Sequence, residues 1–197
     1  FLVRQPELDR KVALKRPANP HLSLEDAKTF ELEAKVTASL EHPGIITVHT
    51  MGRDVDGRRY YTMKPLQGKS LEEVLEGIRN DDAEILHQFT PNRLLEILKR
   101  TAETISYAHD KNVPHLDITP RNIIIGNFGE VTVIDWGMGA SSSGGESTRP
   151  RISPGTGKLK LVIGSPAYKA PEFIPGRKEM AGFSSDVYAL NAILYEI

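Results

Sequence analysis

Cysteine is absent from the 197 residues. That single lack removes disulfides, thiolate metal sites and thiol nucleophiles together, and it fits a reducing compartment. No stretch approaches about 18 uninterrupted apolar residues, so no membrane span lies within the chain. Neither sign of charge prevails: 25 Lys+Arg face 26 Asp+Glu, a net charge of −1. A general electrostatic attraction to nucleic acid or to a membrane surface is thereby excluded. No signal-peptide pattern opens the chain, and no internal repeat runs through it. The six His residues show no metal spacing such as His-Glu-x-x-His. What is present, 39% hydrophobic and 26% charged residues, suits a folded domain rather than a disordered chain. Both ends read as cuts within a longer protein. Phe1 runs straight into a strand-like start, and Ala189–Ile197 is apolar almost all round, a helix that needs burial.

The pattern changes once along the chain. Residues 11–15 read as a strand, and Ser23 caps a helix to about Leu40, ended by His42-Pro43-Gly44. Ile45–Met51 and Arg59–Lys64 read as strands around an Asp56-Gly57 turn. Beyond Gln67-Gly68 helices take over. Ser70 caps a short one to about Ile78, and Thr90 caps a long one with Pro91 in its first turn. Ile123–Ile125 and Val131–Ile134 flank the Gly126–Gly129 hairpin signal, and residues 141–160 read as a long Ser-, Gly- and Pro-rich loop. The expected division is a sheet-rich lobe over 1–66 and a helix-rich lobe over 67–197. The fold class is α+β: a small antiparallel sheet with one helix, then a mainly helical lobe, both incomplete.

Two polar clusters can carry chemistry. His115 to Asn122 places Asp117 five residues before Asn122, and Asp135 follows Asp117 by eighteen, at a strand end. The intervening hairpin can fold Asp135 back beside Asn122. Carboxylate and amide oxygens on adjoining elements suit a hard divalent cation such as Mg²⁺ that shares phosphate oxygens. Asp117 could then orient or deprotonate a hydroxyl. In the second cluster Lys15, on a strand, can pair with Glu33 on the first helix and with a phosphate. Taken alone, Lys15 and Glu33 read as ordinary surface residues, His109 and His115 as structural ones, and Trp136 and Met63 as core. Gly155-Thr156-Gly157-Lys158 lacks the hydroxyl residue and the earlier glycine of a P-loop.

In this order the clusters resemble the protein kinase family, specifically its bacterial Ser/Thr-type members. Val12-Ala13-Leu14-Lys15 resembles the strand-lysine motif, and Phe30-Glu31-Leu32-Glu33-Ala34 the helix that carries its glutamate. Tyr60-Tyr61-Thr62-Met63-Lys64-Pro65-Leu66 resembles the strand and hinge beside adenine. His115–Asn122 resembles the catalytic loop, and Asp135-Trp136-Gly137 the metal-binding segment. Gly164–Glu172 resembles the end of the activation segment, and Ser185–Leu190 the start of the central helix. The resemblance implies ATP and Mg²⁺ as cofactors and a protein as substrate. It gives Asp117 the substrate hydroxyl's proton, Asn122 and Asp135 the metal, and Lys15, fixed by Glu33, the α- and β-phosphates. The Lys64 carbonyl and the Leu66 N–H would meet adenine. It also implies a cytoplasmic location, whether alone or as the cytoplasmic domain of a longer membrane protein.

The sequence departs from that family at several points. The glycine-rich phosphate loop is expected immediately before Phe1. The basic partner of Glu172 is expected beyond Ile197. Leu116 stands where the catalytic-loop arginine is usual, and Thr119 where Ser/Thr kinases carry the lysine that neutralises the transferred phosphate. Loss of such a charge typically costs on the order of 10²–10³ in rate. Arg121, two residues on, is a candidate electrostatic substitute. Asn191 replaces a usual glycine and calls for a buried partner. The hydroxyls of 141–156 are candidates for autophosphorylation, although without an arginine at 116 activity is expected to depend little on it. Three functions follow: a protein Ser/Thr kinase, a pseudokinase that serves as an ATP-binding or scaffold module with little turnover, or an aminoglycoside-type phosphotransferase. The Ala170-Pro171-Glu172 segment speaks against the last.

Overall fold

A computed structural model of the chain describes residues 1–19, 23–137, 166–173 and 181–197. The expected loop at 141–160, with its candidate phosphorylation sites, lies outside the described residues.

The chain opens with β1 (Leu2–Gln5) and β2 (Arg10–Lys15). Helix α1 (Leu24–Ser39) follows, with the Ser23 hydroxyl accepting the Asp26 N–H at 3.0 Å. Strands β3 (Val48–Arg53) and β4 (Arg59–Met63) complete an antiparallel sheet of order β1-β2-β4-β3. Ile45, expected in a strand, instead makes one isolated parallel bridge to Val133. Phe30 and Ala34 of α1 pack on Tyr61 of β4, with Val48 and Met63 alongside.

The remainder is mainly helical. It comprises β5 (Gly68–Ser70), α2 (Leu71–Arg79), α3 (Ala83–Gln88) and α4 (Pro91–Asp110), then β6 (Ile123–Gly126), β7 (Val131–Val133) and α5 (Phe183–Glu196). Ser70 and Glu73 form a full capping box at α2. Asp82 caps α3, which the polar run Asn80-Asp81-Asp82 conceals in the sequence. A second sheet, β5-β6-β7, lies in this part. Gly68 permits it: its φ is +134°, and a β-carbon there would sit 2.0 Å from the Ile125 carbonyl oxygen.

Helix α1 belongs to both parts. Val36, in its last turn, and Leu40, just past its end, join the large core formed with Leu71, Val74, Ile105, Ile123, Val133 and Trp136. The turn after it stacks His42 on Tyr107 of α4, ring centroids 4.9 Å apart. Glu33 therefore lies on a helix held from both sides.

Helix α5 departs from the expected burial. Ala189 and Ile193 are buried, while Leu194 and Tyr195 are exposed. Asn191 is exposed too, and its amide donates to the Val187 carbonyl at 2.8 Å. The expected buried partner is replaced by a bond one helical turn back, which an exposed side chain can make at little cost.

Candidate active site

Lys15 and Tyr61 are cross-strand partners in the β2–β4 register. Partners in an antiparallel pair project to the same face, and here that face meets α1. Lys15 Nζ donates to Glu33 Oε1 at 2.5 Å, and Tyr61 donates to the same oxygen at 2.7 Å. Glu33 is 8% exposed, and these two donors compensate its buried charge. Lys15 Nζ also reaches Asp135 Oδ1 at 3.2 Å, a contact 120 residues apart in sequence. Burial opposes the Lys15 charge, but the carboxylates of Asp135 and Glu33 outweigh it and hold the pKa above its ordinary 10.5. Burial, reinforced by Glu33, pushes the Tyr61 phenol well above its ordinary 10.0.

The segment after β7 is brought against α1 by a glycine. A β-carbon at Gly137 would lie 3.2 Å from Glu33 Oε2, so a side chain there would crowd the carboxylate. Asp135 adopts φ 70°, outside the range usual for a non-glycine residue. The Ile134 N–H donates to the Asn122 carbonyl at 2.9 Å and fixes the approach to it. Trp136 is fully buried against His115, with ring centroids 4.6 Å apart.

The loop 115–122 is held by a buried anion. Asp186, at the start of α5, accepts the His115 and Leu116 N–H groups, each at 2.7 Å, and contacts His109 Nε2 at 2.8 Å. His115 accepts the Asp117 N–H on Nδ1 at 3.2 Å, which assigns the proton to Nε2, 3.0 Å from the Ile134 carbonyl. Its ring thus joins the loop carrying Asp117 to the strand end carrying Asp135. Leu116 is buried at φ 65°. Such a backbone costs on the order of 1–3 kcal/mol and persists where its surroundings over-determine it.

Asn122 donates through Nδ2 to the Asp117 carbonyl at 2.8 Å and more weakly to Asp117 Oδ2 at 3.4 Å. Its amide oxygen accepts no hydrogen bond among the described residues, and neither does Asp135 Oδ2. Among those residues no group of three His, Asp or Glu side chains forms a metal site. The donors left are one amide and one carboxylate oxygen, a pair that fits Mg²⁺ if phosphate oxygens and water complete its shell.

The Lys64 N–H is engaged by the Thr47 carbonyl at 2.9 Å. The Lys64 carbonyl and the Leu66 N–H have no partner among the described residues.

Arg121 does not stand beside Asp117. Its Nε donates to both carboxylate oxygens of Glu72 on α2, 2.8 Å each. The cation on Asp117 is one that sequence reasoning passed over. Lys169 Nζ sits 2.6 Å from Asp117 Oδ1 and 3.4 Å from the Leu116 carbonyl. Nearby, Glu172 accepts the Ser185 hydroxyl at 2.5 Å, so it has a partner within the chain.

The model of the protein kinase domain family matches residues 1–197. The chain belongs to the protein kinase family. Similar kinases include the serine/threonine-protein kinase PknD of Chlamydia felis, 35% identical over 210 residues covering 100% of this chain and 22% of the relative. PknD of Protochlamydia amoebophila is 32% identical over 210 residues, covering 100% of this chain and 21% of the relative. PknD of Chlamydia trachomatis serovar L2b is 31% identical over 218 residues, covering 100% of this chain and 23% of the relative. The chain thus spans between a fifth and a quarter of the length of these kinases. Its small antiparallel sheet with one helix, followed by a mainly helical part, is the α+β architecture of a kinase domain. No described helix is long and apolar enough to cross a membrane.

Proposed function

We propose that the chain is a Ser/Thr protein kinase domain that transfers the γ-phosphate of ATP to a protein hydroxyl. The observation that carries this reading is the bridge from Lys15 to both Glu33 and Asp135, beside a loop whose Asp117 and Asn122 are tied together. Lobes of 1–66 and 67–197 would hold the nucleotide between them, with adenine on the Lys64 carbonyl and the Leu66 N–H. Lys15, aimed by Glu33, would meet the α- and β-phosphates. Asn122 and Asp135 would hold Mg²⁺, which supplies positive charge to the phosphate oxygens as the phosphoryl group moves. Asp117 orients the substrate hydroxyl and takes its proton. Catalysis of this class is mainly positioning and charge stabilisation.

ATP as co-substrate supports a cytoplasmic location, and the hydroxyls of 141–156 are candidate self-modification sites. The similarity to PknD kinases, named for serine and threonine, favours a protein hydroxyl over a small molecule. A pseudokinase reading is favoured by one observation: neither residue 116 nor residue 119 carries a charge.

Transfer of radiolabelled phosphate from ATP to a generic protein acceptor decides between them, with Asp117→Asn as the control. Loss of the base is expected to lower incorporation on the order of 10²–10⁴-fold. Equal incorporation by both proteins would remove Asp117 from the mechanism, and nucleotide binding without incorporation would select the pseudokinase.

A further inference from the structure

Thr119 is buried and uncharged, and Arg121 is held on Glu72. The catalytic loop therefore brings no cation of its own to Asp117. Lys169 arrives from a different part of the chain, 52 residues on, immediately before Ala170-Pro171-Glu172. We propose that Lys169 is a catalytic residue that replaces, from outside the loop, the phosphate-neutralising cation missing at Thr119. The proposal rests on the phosphotransfer reading above.

Three observations carry it. The ammonium contacts the carboxylate that would receive the hydroxyl, at 2.6 Å, so it stands where hydroxyl and phosphoryl group must meet. Its side chain is only 22% exposed, in surroundings where a fixed charge is screened less than at the surface. Its ammonium is also held by further partners: Nζ lies 5.1 Å from the Phe173 ring centroid and 3.4 Å from the Leu116 carbonyl. A flexible lysine held at several points loses less freedom when it engages a ligand.

The step balances without a further reactant. The substrate hydroxyl oxygen forms a bond to the γ-phosphorus, and its proton passes to Asp117. The bond from that phosphorus to the β–γ bridging oxygen breaks, and its electron pair leaves on ADP. Negative charge builds on the transferring oxygens and the bridging oxygen. A cation shared between Asp117 and those oxygens stabilises the transition state more than the resting complex, so it acts on kcat rather than on nucleotide affinity.

The test compares the wild type, Lys169→Ala, Thr119→Lys and the double variant, reading kcat, KM and the Kd of a fluorescent ATP analogue, with urea unfolding to confirm folding. Lys169→Ala should lower kcat on the order of 10²–10³-fold and leave the analogue's Kd within about twofold. Thr119→Lys in the Lys169→Ala background should recover at least about tenfold of the lost kcat, a rescue that a structural role for Lys169 would not give. Wild-type-like or faster turnover by a folded Lys169→Ala protein overturns the proposal, the faster case marking Lys169 as an inhibitory clamp. Failure of the Thr119→Lys rescue also overturns it. An inactive wild type sinks the phosphotransfer reading itself, and the proposal with it. Those two failures are distinguishable, because the wild-type rate is measured first.

Discussion

On the sheet side, the buried apolar cluster around α1 consists of Phe30, Ala34 and Tyr61. On the helical side, α2, α3, α4, α5 and the β6–β7 hairpin share one continuous core that includes Leu71, Ile105, Ile123 and Ile193, all close to fully buried. The sheet side adds ion pairs instead: Lys15 with Glu33, Arg59 with Glu31, and Arg4 with Asp9. Of these only Arg4–Asp9 is exposed, and such a pair contributes little in water; the other two are partly buried and tie α1 to the sheet. The two sides therefore suit different tasks. The helical part is a rigid platform for Asp117 and Asn122, while the sheet part holds Lys15 by polar contacts that ligands and pH can address.

The contrast can be broken by mutation. Asp186→Ala strands two buried N–H groups in the 115–122 loop and should be the most costly change, about 3–5 kcal/mol by urea unfolding. Asp186→Asn should fall between it and the wild type, since an amide oxygen can still accept. A loss below about 1 kcal/mol in the alanine variant would mean that the platform does not depend on this anion.

Tyr61→Phe addresses the sheet side and should cost less, about 1.5 kcal/mol for one hydrogen bond to a charged acceptor. It also sharpens the comparison through pH. Lys15 and Tyr61 both hold their protons more tightly folded than unfolded. Their contribution is thus complete below the unfolded values near pH 10 and is lost as pH rises through the folded ones. Wild-type stability should decline above about pH 10, and Tyr61→Phe should decline less steeply. Identical alkaline slopes in urea midpoints would exclude the phenol. Ser70→Ala should have the smallest effect, about 1 kcal/mol for loss of the α2 capping box, because Leu71, Val74 and Leu75 keep the helix seated. A drop in thermal midpoint larger than that of Tyr61→Phe would reverse the ranking.

Much of this architecture was legible because its signals are local. Ser23, Ser70 and Thr90 all accept the backbone bonds that cap their helices, and the Asp56-Gly57 and Gly126–Gly129 turns lie between the strands they separate. Lys15, Glu33 and Asp135 were singled out by type and order, and the structure brings their charged ends together. Other features have no local mark. Strand β5 is three residues long and exists through pairing with β6. Tyr61 reads as a hinge-strand residue until the β2–β4 register sets it beside Lys15. Asp186 reads as the polar start of an apolar helix, and only folding reveals the two N–H groups it receives. Lys169 lies within the Gly164–Glu172 segment, and its charge acquires meaning only beside Asp117. Arg121 looked like a substitute by sequence proximity, but α2 offers it a carboxylate.

The bond from Asp186 to the His115 N–H joins positions 71 residues apart. At ribosomal speeds of about 5–20 residues per second, roughly 4–14 s separate the synthesis of the two partners. During that interval the loop with Asp117 exists without the carboxylate that shapes it. A nascent chain therefore carries this loop without its anchoring carboxylate until α5 has been made and has docked, so the shape of the loop is set only after synthesis has moved well past it.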